Sequence, residues 1–308
     1  MSEQTLSSAI VVKGLGGRFE IVPEREDRRI VCRARGNLHK NDARLLVGDR
    51  VLFSEPSGSE AVIEEILPRK NALIRPPMAN LDALYAVIAS AKPAPVLETV
   101  DKLLAIAEHN GIRAALVITK QDFSPEAAES YAEIYRRVGI PVFRISSVTG
   151  EGIEELAEDV GAQMKNGAVA ALTGASGVGK STLLNRLFPE LSLATGEISR
   201  KIERGRHTTR HVELFPLKNG GFLADTPGFS LLDFVHFDFF ELDDLFDAFR
   251  EFAPYRGACR YSDCTHTKEG AGECAIARAV SEGRISESRR ESYRALYRIL
   301  KEKTKYRS

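Results

Sequence analysis

Three textures of apolar and polar positions succeed one another along the 308 residues. Up to about residue 72 the apolar runs are short: residues 9–12, 18–22, 29–35, 50–53 and 61–66 read as strands. Gly14, Gly16-Gly17, Gly36-Asn37, Val47-Gly48-Asp49 and Pro56-Ser57-Gly58 mark the turns between them. Five strands in so short a stretch predict a small β-barrel, with an OB-fold leading, a shape that commonly offers a face to oligonucleotides. From residue 80 the runs alternate in period. Strands at 84–89, 114–118, 141–145 and 168–173 are separated by amphipathic helices at 96–109, 125–138 and 152–164. That alternation predicts a parallel α/β sheet covered on both faces. A helical spacing restarts at 181–187, a polar connection covers 189–211, and strands at 212–217 and 221–224 meet at Asn219-Gly220. The last texture is an acidic, aromatic stretch at 237–252, a Cys/His-rich loop region and a basic helical tail at 282–308. The expected division is a barrel at 1–72, an α/β domain at 73–232 and a mostly helical domain at 233–308.

Composition narrows the partners. Lys+Arg 43 against Asp+Glu 43 excludes a uniformly basic coat, so a nucleic-acid surface has to be local. No run of 18 apolar residues and no basic, apolar leader occurs, which predicts a cytoplasmic chain that does not engage a membrane. In the barrel, Arg28, Arg29, Arg33 and Arg35 lie close together, near His39 and Lys40. They suit an RNA-facing strand and a solvated one equally well. Cys32 alternates with the arginines and reads as a small buried hydrophobe.

The α/β domain carries a phosphate-loop pattern, G-x-x-x-x-G-K-[ST], in Gly174-Ala175-Ser176-Gly177-Val178-Gly179-Lys180-Ser181, followed by Thr182. It sits between a predicted strand and a predicted helix, the context it needs. There the glycines let successive backbone N–H groups face phosphate, Lys180 reaches the terminal phosphates and Ser181 ligates Mg²⁺. Asp225-Thr226-Pro227-Gly228 at a later strand end matches the second nucleotide signature, in which Asp225 holds Mg²⁺ through water and the Gly228 N–H senses the γ-phosphate. Thr119-Lys120-Gln121-Asp122 compares with the N-K-x-D guanine reader. Asp122 would accept from the N1–H and N2–H₂ edge that adenine lacks, Lys120 would pack over the base, and Ser146-Ser147 at the next strand end would offer an N–H to O6. The first position has Thr119 where the reader usually has Asn, which shortens its reach.

The order of these pieces is unusual. Ordinary GTPases run phosphate loop, switch threonine, DxxG, guanine reader and serine turn, whereas here the last two come first. The chain is therefore read as a circularly permuted GTPase. With its barrel, its permuted order and the short motifs Arg35-Gly36, Val47-Gly48-Asp49, Pro68-Arg69 and Asn80-Leu81-Asp82, it resembles the RsgA (YjeQ) family of small-subunit-dependent GTPases. The resemblance implies GTP hydrolysis to GDP in late maturation of the small ribosomal subunit, contact with its rRNA, stimulation by the subunit and a monomeric protein. The alternative class is a P-loop ATPase or metabolic kinase unconnected with the ribosome.

Phe229 follows Gly228, where many GTPases place a water-orienting glutamine. The resemblance points to His207 as its replacement, although His207 equally suits a phosphate or partner contact. Thr208 or Thr209 closes on Mg²⁺, with Thr209 preferred because Arg210 follows it. Cys259, Cys264, His266 and Cys274 supply four ligands for a closed, structural zinc site, one ion per chain. The gap before Cys274 is longer than the family's. Tyr293 and Tyr297 stand one turn apart in the basic tail, which suits a solvated helix but, beside the other motifs, favours an RNA-facing one.

Overall fold

The strands of the barrel form where the short apolar runs lie. In the computed structural model, which describes residues 6–24, 26, 28–36, 44–55, 60–192, 212–225, 234 and 239–307, they are β1 (Ser7–Leu15), β2 (Arg18–Pro23), β3 (Ile30–Ala34), β4 (Arg50–Ser54) and β5 (Ala61–Ile66). Their order is β1-β2-β3-β5-β4, and β4 returns to pair with β1, so the sheet closes. All contacts are antiparallel except β3 with β5. Closure removes both edges, the hazard of a lone small sheet. One residue in two points inward along β3, so Ile30 and Cys32 join Val11, Ile21, Val51, Phe53 and Ile63 in the barrel core. Burial pushes the Cys32 thiol up to about 12, as expected of a cysteine acting as a hydrophobe.

The chain divides into two compact units, Met1–Ala83, Asp159–Leu172 and Glu190–Gly228 on one hand, and Leu84–Glu158, Thr173–Pro189 and Phe229–Ser308 on the other. In the first unit the barrel is joined by β11 (Val169–Thr173), β12 (Glu213–Pro216) and β13 (Phe222–Asp225). β13 runs parallel to β11 and antiparallel to β12, and β12 pairs with β1 through Lys13 opposite Glu213. Lys13 and Arg29 both bond Glu213, at 3.0 and 2.9 Å.

Three of the short sequence motifs meet in one knot in this unit. The Asp49 carboxylate accepts from the Arg69 guanidinium at 2.6 and 2.8 Å and from the Leu46 amide at 2.8 Å. Asn80, in left-handed backbone at φ 57, accepts from the Lys70 amide and donates to the Gly48 carbonyl. Gly48 has no alternative, because a Cβ there would lie 2.1 Å from the Ala79 carbonyl. The knot is flanked by a two-residue hairpin, β6 (Ala72–Leu73) with β7 (Met78–Ala79), too short to show in the apolar pattern.

In the second unit β8 (Leu81–Ala89), β9 (Arg113–Thr119) and β10 (Val142–Arg144) lie in the order β10-β9-β8, with β9 and β10 parallel. The helices are α1 (Leu97–His109), α2 (Pro125–Arg136), α3 (Ile153–Gln163) and α4 (Lys180–Leu187). The C-terminal segment adds two 3₁₀ turns, Leu242–Asp244 and Arg250–Tyr255, then α5 (Ala275–Ser281) and α6 (Glu287–Arg307). Arg289 of α6 is fully buried and bonds Asp101 of α1 at 2.7 Å and Glu251 at 2.7 and 3.1 Å, while the Tyr135 hydroxyl donates to the same Asp101 oxygen at 3.0 Å. Burial alone would lower the Arg289 pKa; the two carboxylates outweigh it and hold the guanidinium above its ordinary value. Among the described residues, no helix is long and apolar enough to cross a membrane.

Two expectations change. Of the barrel arginines, Arg28 pairs with Glu26 and Glu55, Arg29 with Glu20 and Glu213, and Arg35 with Glu64, which neutralises most of the local charge. Exposed Arg33 stands directly opposite Arg18, itself paired with Glu60. In the tail, Tyr293 is buried against Phe249 and Phe252 and belongs to the core, while Tyr297 one turn on stays half-buried. Residues 39 and 40 lie outside the described residues.

Candidate functional site

The phosphate-loop sequence turns tightly at the end of β11. Gly174 is required because a Cβ there would lie 2.1 Å from the Val87 carbonyl, and Gly179, at φ 98, caps α4 in left-handed backbone. Ala175, Ser176, Gly177 and Thr182 are exposed, Ser181 is half-buried and Val178 is buried. Lys180 folds back over the loop, its Nζ donating to the carbonyls of Gly174 and Ala175 at 2.7 Å each. Burial lowers the Lys180 pKa, the effect expected of an ammonium held where water is scarce. A loop lined by backbone N–H groups at a helix N-terminus with a cation across it suits a polyphosphate.

The strand end of β9 is bonded to this loop. Thr119 is buried, and its hydroxyl lies 2.5 Å from the Val178 carbonyl and 3.0 Å from that of Ile88. Having one proton, it donates to one of them at a time. Lys120, in left-handed backbone at φ 59, sends its Nζ to the carbonyls of Gly177 at 2.8 Å and Lys92 at 2.5 Å. Ser90 completes the tie, its amide donating to Thr119 and its hydroxyl to the Lys120 carbonyl. Asp122 is exposed and, among the described residues, its carboxylate has no partner. In the turn after β10, the buried Ser146 hydroxyl accepts from the amides of Val148 and Thr149 at 3.2 and 3.1 Å, shaping the bend that carries Ser147. The structure thus brings Thr119, Lys120 and the phosphate loop together. The segment Ser90–Pro93, which the sequence reading did not single out, bonds this strand end through Ser90 and the Lys92 carbonyl.

Asp225 ends β13 opposite Glu213, and its side chain lies outside the described residues. So do His207, Thr208, Thr209, Gly228 and Phe229.

The second site is the Cys/His cluster. The ligand atoms of Cys259, Cys264, His266 and Cys274 all lie within 4.8 Å of one another. His266 Nδ1 is 3.5 Å from the sulfurs of Cys259 and Cys274 and 3.6 Å from that of Cys264. A zinc tetrahedron with Zn–S of about 2.3 Å and Zn–N of about 2.1 Å has N···S edges of about 3.6 Å, so the donor set fits that ion. Burial raises the pKa of the Cys264 and Cys274 thiols and lowers that of His266, which leaves uncharged groups that a cation would convert to ligands. The cage is braced from outside. Cys259 and Cys274 sulfurs accept from the amides of Ala275 and Ala277, and Arg290 and Arg294 of α6 bond the carbonyls of His266, Glu269 and Thr267. His266 sits at φ 62, a strained conformation for a non-glycine residue that this bracing holds. Despite the long gap, Cys274 is fully part of the cluster.

These features have counterparts in known proteins. A family model described as RsgA GTPase matches residues 66–235, and one described as RsgA N-terminal domain matches residues 9–63. The small ribosomal subunit biogenesis GTPase RsgA of Ruminiclostridium cellulolyticum is 37% identical over 300 residues, covering 97% of this chain and 95% of the relative. The protein of the same name from Caldanaerobacter subterraneus subsp. tengcongensis is 41% identical over 298 residues, covering 96% and 97%. The crystal structure of YjeQ from Thermotoga maritima is similar with a TM-score of 0.79 at 34% identity, covering 96% of this chain and 99% of that one. That of YloQ, described as a circularly permuted GTPase, gives 0.75 at 31% identity, covering 98% of each. With a closed five-stranded N-terminal barrel, a central GTPase domain and a C-terminal helical region bearing a Cys₃His cluster, the chain belongs to the RsgA GTPase family of GTP-hydrolysing enzymes.

Proposed function

We propose that this chain hydrolyses GTP to GDP and phosphate in late maturation of the small ribosomal subunit, stimulated by the subunit, as a cytoplasmic monomer. The observation that carries the nucleotide part is the bonded tie between the TKQD strand end and the phosphate loop through Thr119 and Lys120. In this reading the tie would hold Asp122, three residues after Thr119, as the base-reading carboxylate beside a phosphate cradle. The names of the near-full-length relatives support the ribosomal part.

In this reading the amides from Gly174 to Thr182 and the Lys180 ammonium hold the phosphates, while Asp122, Lys120 and Ser147 hold guanine, with Ser146 shaping the turn. Ser181 and Thr209 would hold Mg²⁺, with Asp225 reaching it through water and the Gly228 amide meeting the γ-phosphate. Held by these residues, the ion would neutralise charge on the phosphate oxygens. His207 would orient the attacking water in place of the glutamine that Phe229 excludes. Zinc on Cys259, Cys264, His266 and Cys274 is structural, since four protein ligands leave no open position for chemistry. The domains are the barrel at 1–72, the GTPase at 73–232 and the zinc-binding region at 233–308, with rRNA met by the first and last.

Co-sedimentation with purified small subunits in the presence of GDP or a non-hydrolysable GTP analogue tests this. The expected difference in affinity corresponds to a coupling of about 1–3 kcal/mol. Equal affinity in both states, or turnover of ATP as fast as GTP, contradicts the proposal and favours a P-loop ATPase or kinase.

A further inference from the structure

A cavity of about 320 Å³ opens beside the Cys/His cluster, lined by Phe246, Tyr293 and Tyr297 together with Asp243, Thr265 and Arg256. Its rings form a fixed series. Phe246 lies 5.2 Å from the His266 ring, His266 lies 6.3 Å from Tyr293, and Tyr297 stacks on Tyr293 at 6.4 Å and 28°. Tyr293 is buried, so the half-buried Phe246 and Tyr297 are the rings with surface left to cover. Each carries a cation on its face, Arg256 at 4.7 Å from the Phe246 centroid and Lys301 at 5.5 Å from that of Tyr297. Lys301 and its neighbour Arg298 have no carboxylate partner among the described residues, whereas Arg256 is paired with Asp247.

The charges sort the possible occupants. The Asp243 carboxylate in the lining repels a phosphate inside the cavity and accepts from N–H donors. The interior therefore suits a flat, neutral ring with an amino group, and the cationic rim suits a phosphate attached to it. Those are the two ends of one nucleotide of unstacked RNA, which proteins hold by stacking on aromatic faces with basic groups along the backbone. The volume is at the small end of ligand sites, room for one base and not for a duplex.

We infer that this cavity binds a single unstacked base of single-stranded RNA, which takes the places of Lys301 and Arg256 on the faces of Tyr297 and Phe246, with its exocyclic amino group toward Asp243 and its phosphate on the two displaced cations. The inference rests on the reading of this chain as a GTPase that acts on a ribosomal subunit. Binding of labelled adenosine, cytidine and uridine hexamers and of a short RNA duplex to the zinc-loaded full chain tests it. Removing one stacking ring typically weakens binding about fivefold or more. Tyr297→Ala should lose that much for adenosine and cytidine hexamers, Tyr297→Phe should bind like the parent, and uridine, which has no amino group, should bind more weakly than either. Zinc content and basal GTP turnover of Tyr297→Ala should match the parent. If Tyr297→Ala keeps its zinc and its full hexamer affinity, or if it loses small subunits but not free RNA, the assignment is overturned and a protein partner takes its place. If small subunits fail to stimulate GTP turnover by the parent protein, the functional reading itself fails, whatever the hexamers do.

Discussion

The Thr119 hydroxyl, at the end of β9, lies 2.5 Å from the Val178 carbonyl in the phosphate loop. The strand end comes so close that a hydroxyl makes the tie for which the guanine reader usually uses a longer asparagine. A buried carbonyl that loses its donor costs about 1–3 kcal/mol. Thr119→Val keeps the shape and removes the donor, so GDP affinity should fall about fivefold or more, while Thr119→Ser should bind like the parent. Displacement of a fluorescent GDP analogue measures this, and unchanged affinity in Thr119→Val would separate the tie from nucleotide binding.

Asp122 has an exposed carboxylate that follows that tie and has no partner among the described residues. Asp122→Asn reverses one donor–acceptor position and should weaken GTP while favouring xanthosine triphosphate, whose base presents the complementary edge. Competition between the two nucleotides reads out the switch. A variant that still prefers GTP removes Asp122 from the base site.

The 3.5–3.6 Å spacing of sulfurs around His266 Nδ1 predicts one zinc per chain by elemental analysis. Cys264→Ala should lose the ion and raise amide exchange around 257–275, while GTP binding persists. Protein with no stoichiometric metal contradicts the site.

Arg289 ties α6 to α1 from a fully buried position. Breaking a buried pair leaves an unpaired charge, typically at a cost of about 3–5 kcal/mol. Arg289→Met should be destabilised by that order in denaturant melts, because Asp101 and Glu251 are stranded. Arg289→Met combined with Asp101→Leu and Glu251→Gln should recover part of the loss. A melt for the single variant that overlays the parent would show that the network contributes little.

Much of this architecture is legible in the sequence because it is local. Strand periods, the glycine spacing of the phosphate loop and the TKQD strand end are all patterns of neighbours in the chain. What depends on distant partners is not. The arginines at 28, 29 and 35 read as a basic patch until Glu55, Glu213 and Glu64 arrive from other strands. Arg289 reads as one more arginine of a basic tail because its two carboxylates lie 188 and 38 residues away. The knot of Asp49, Arg69 and Asn80 is visible only as isolated short motifs, since no periodicity links them.

The most direct measurement is steady-state GTP turnover with and without purified small ribosomal subunits, with large subunits as control. Completing a GTPase site in trans is worth on the order of 10³- to 10⁵-fold in other GTPases. A slow intrinsic rate that small subunits raise strongly, that large subunits leave unchanged, and that His207→Ala largely loses with nucleotide and subunit binding intact is the predicted result. Turnover indifferent to small subunits, or raised equally by large ones, would contradict the account.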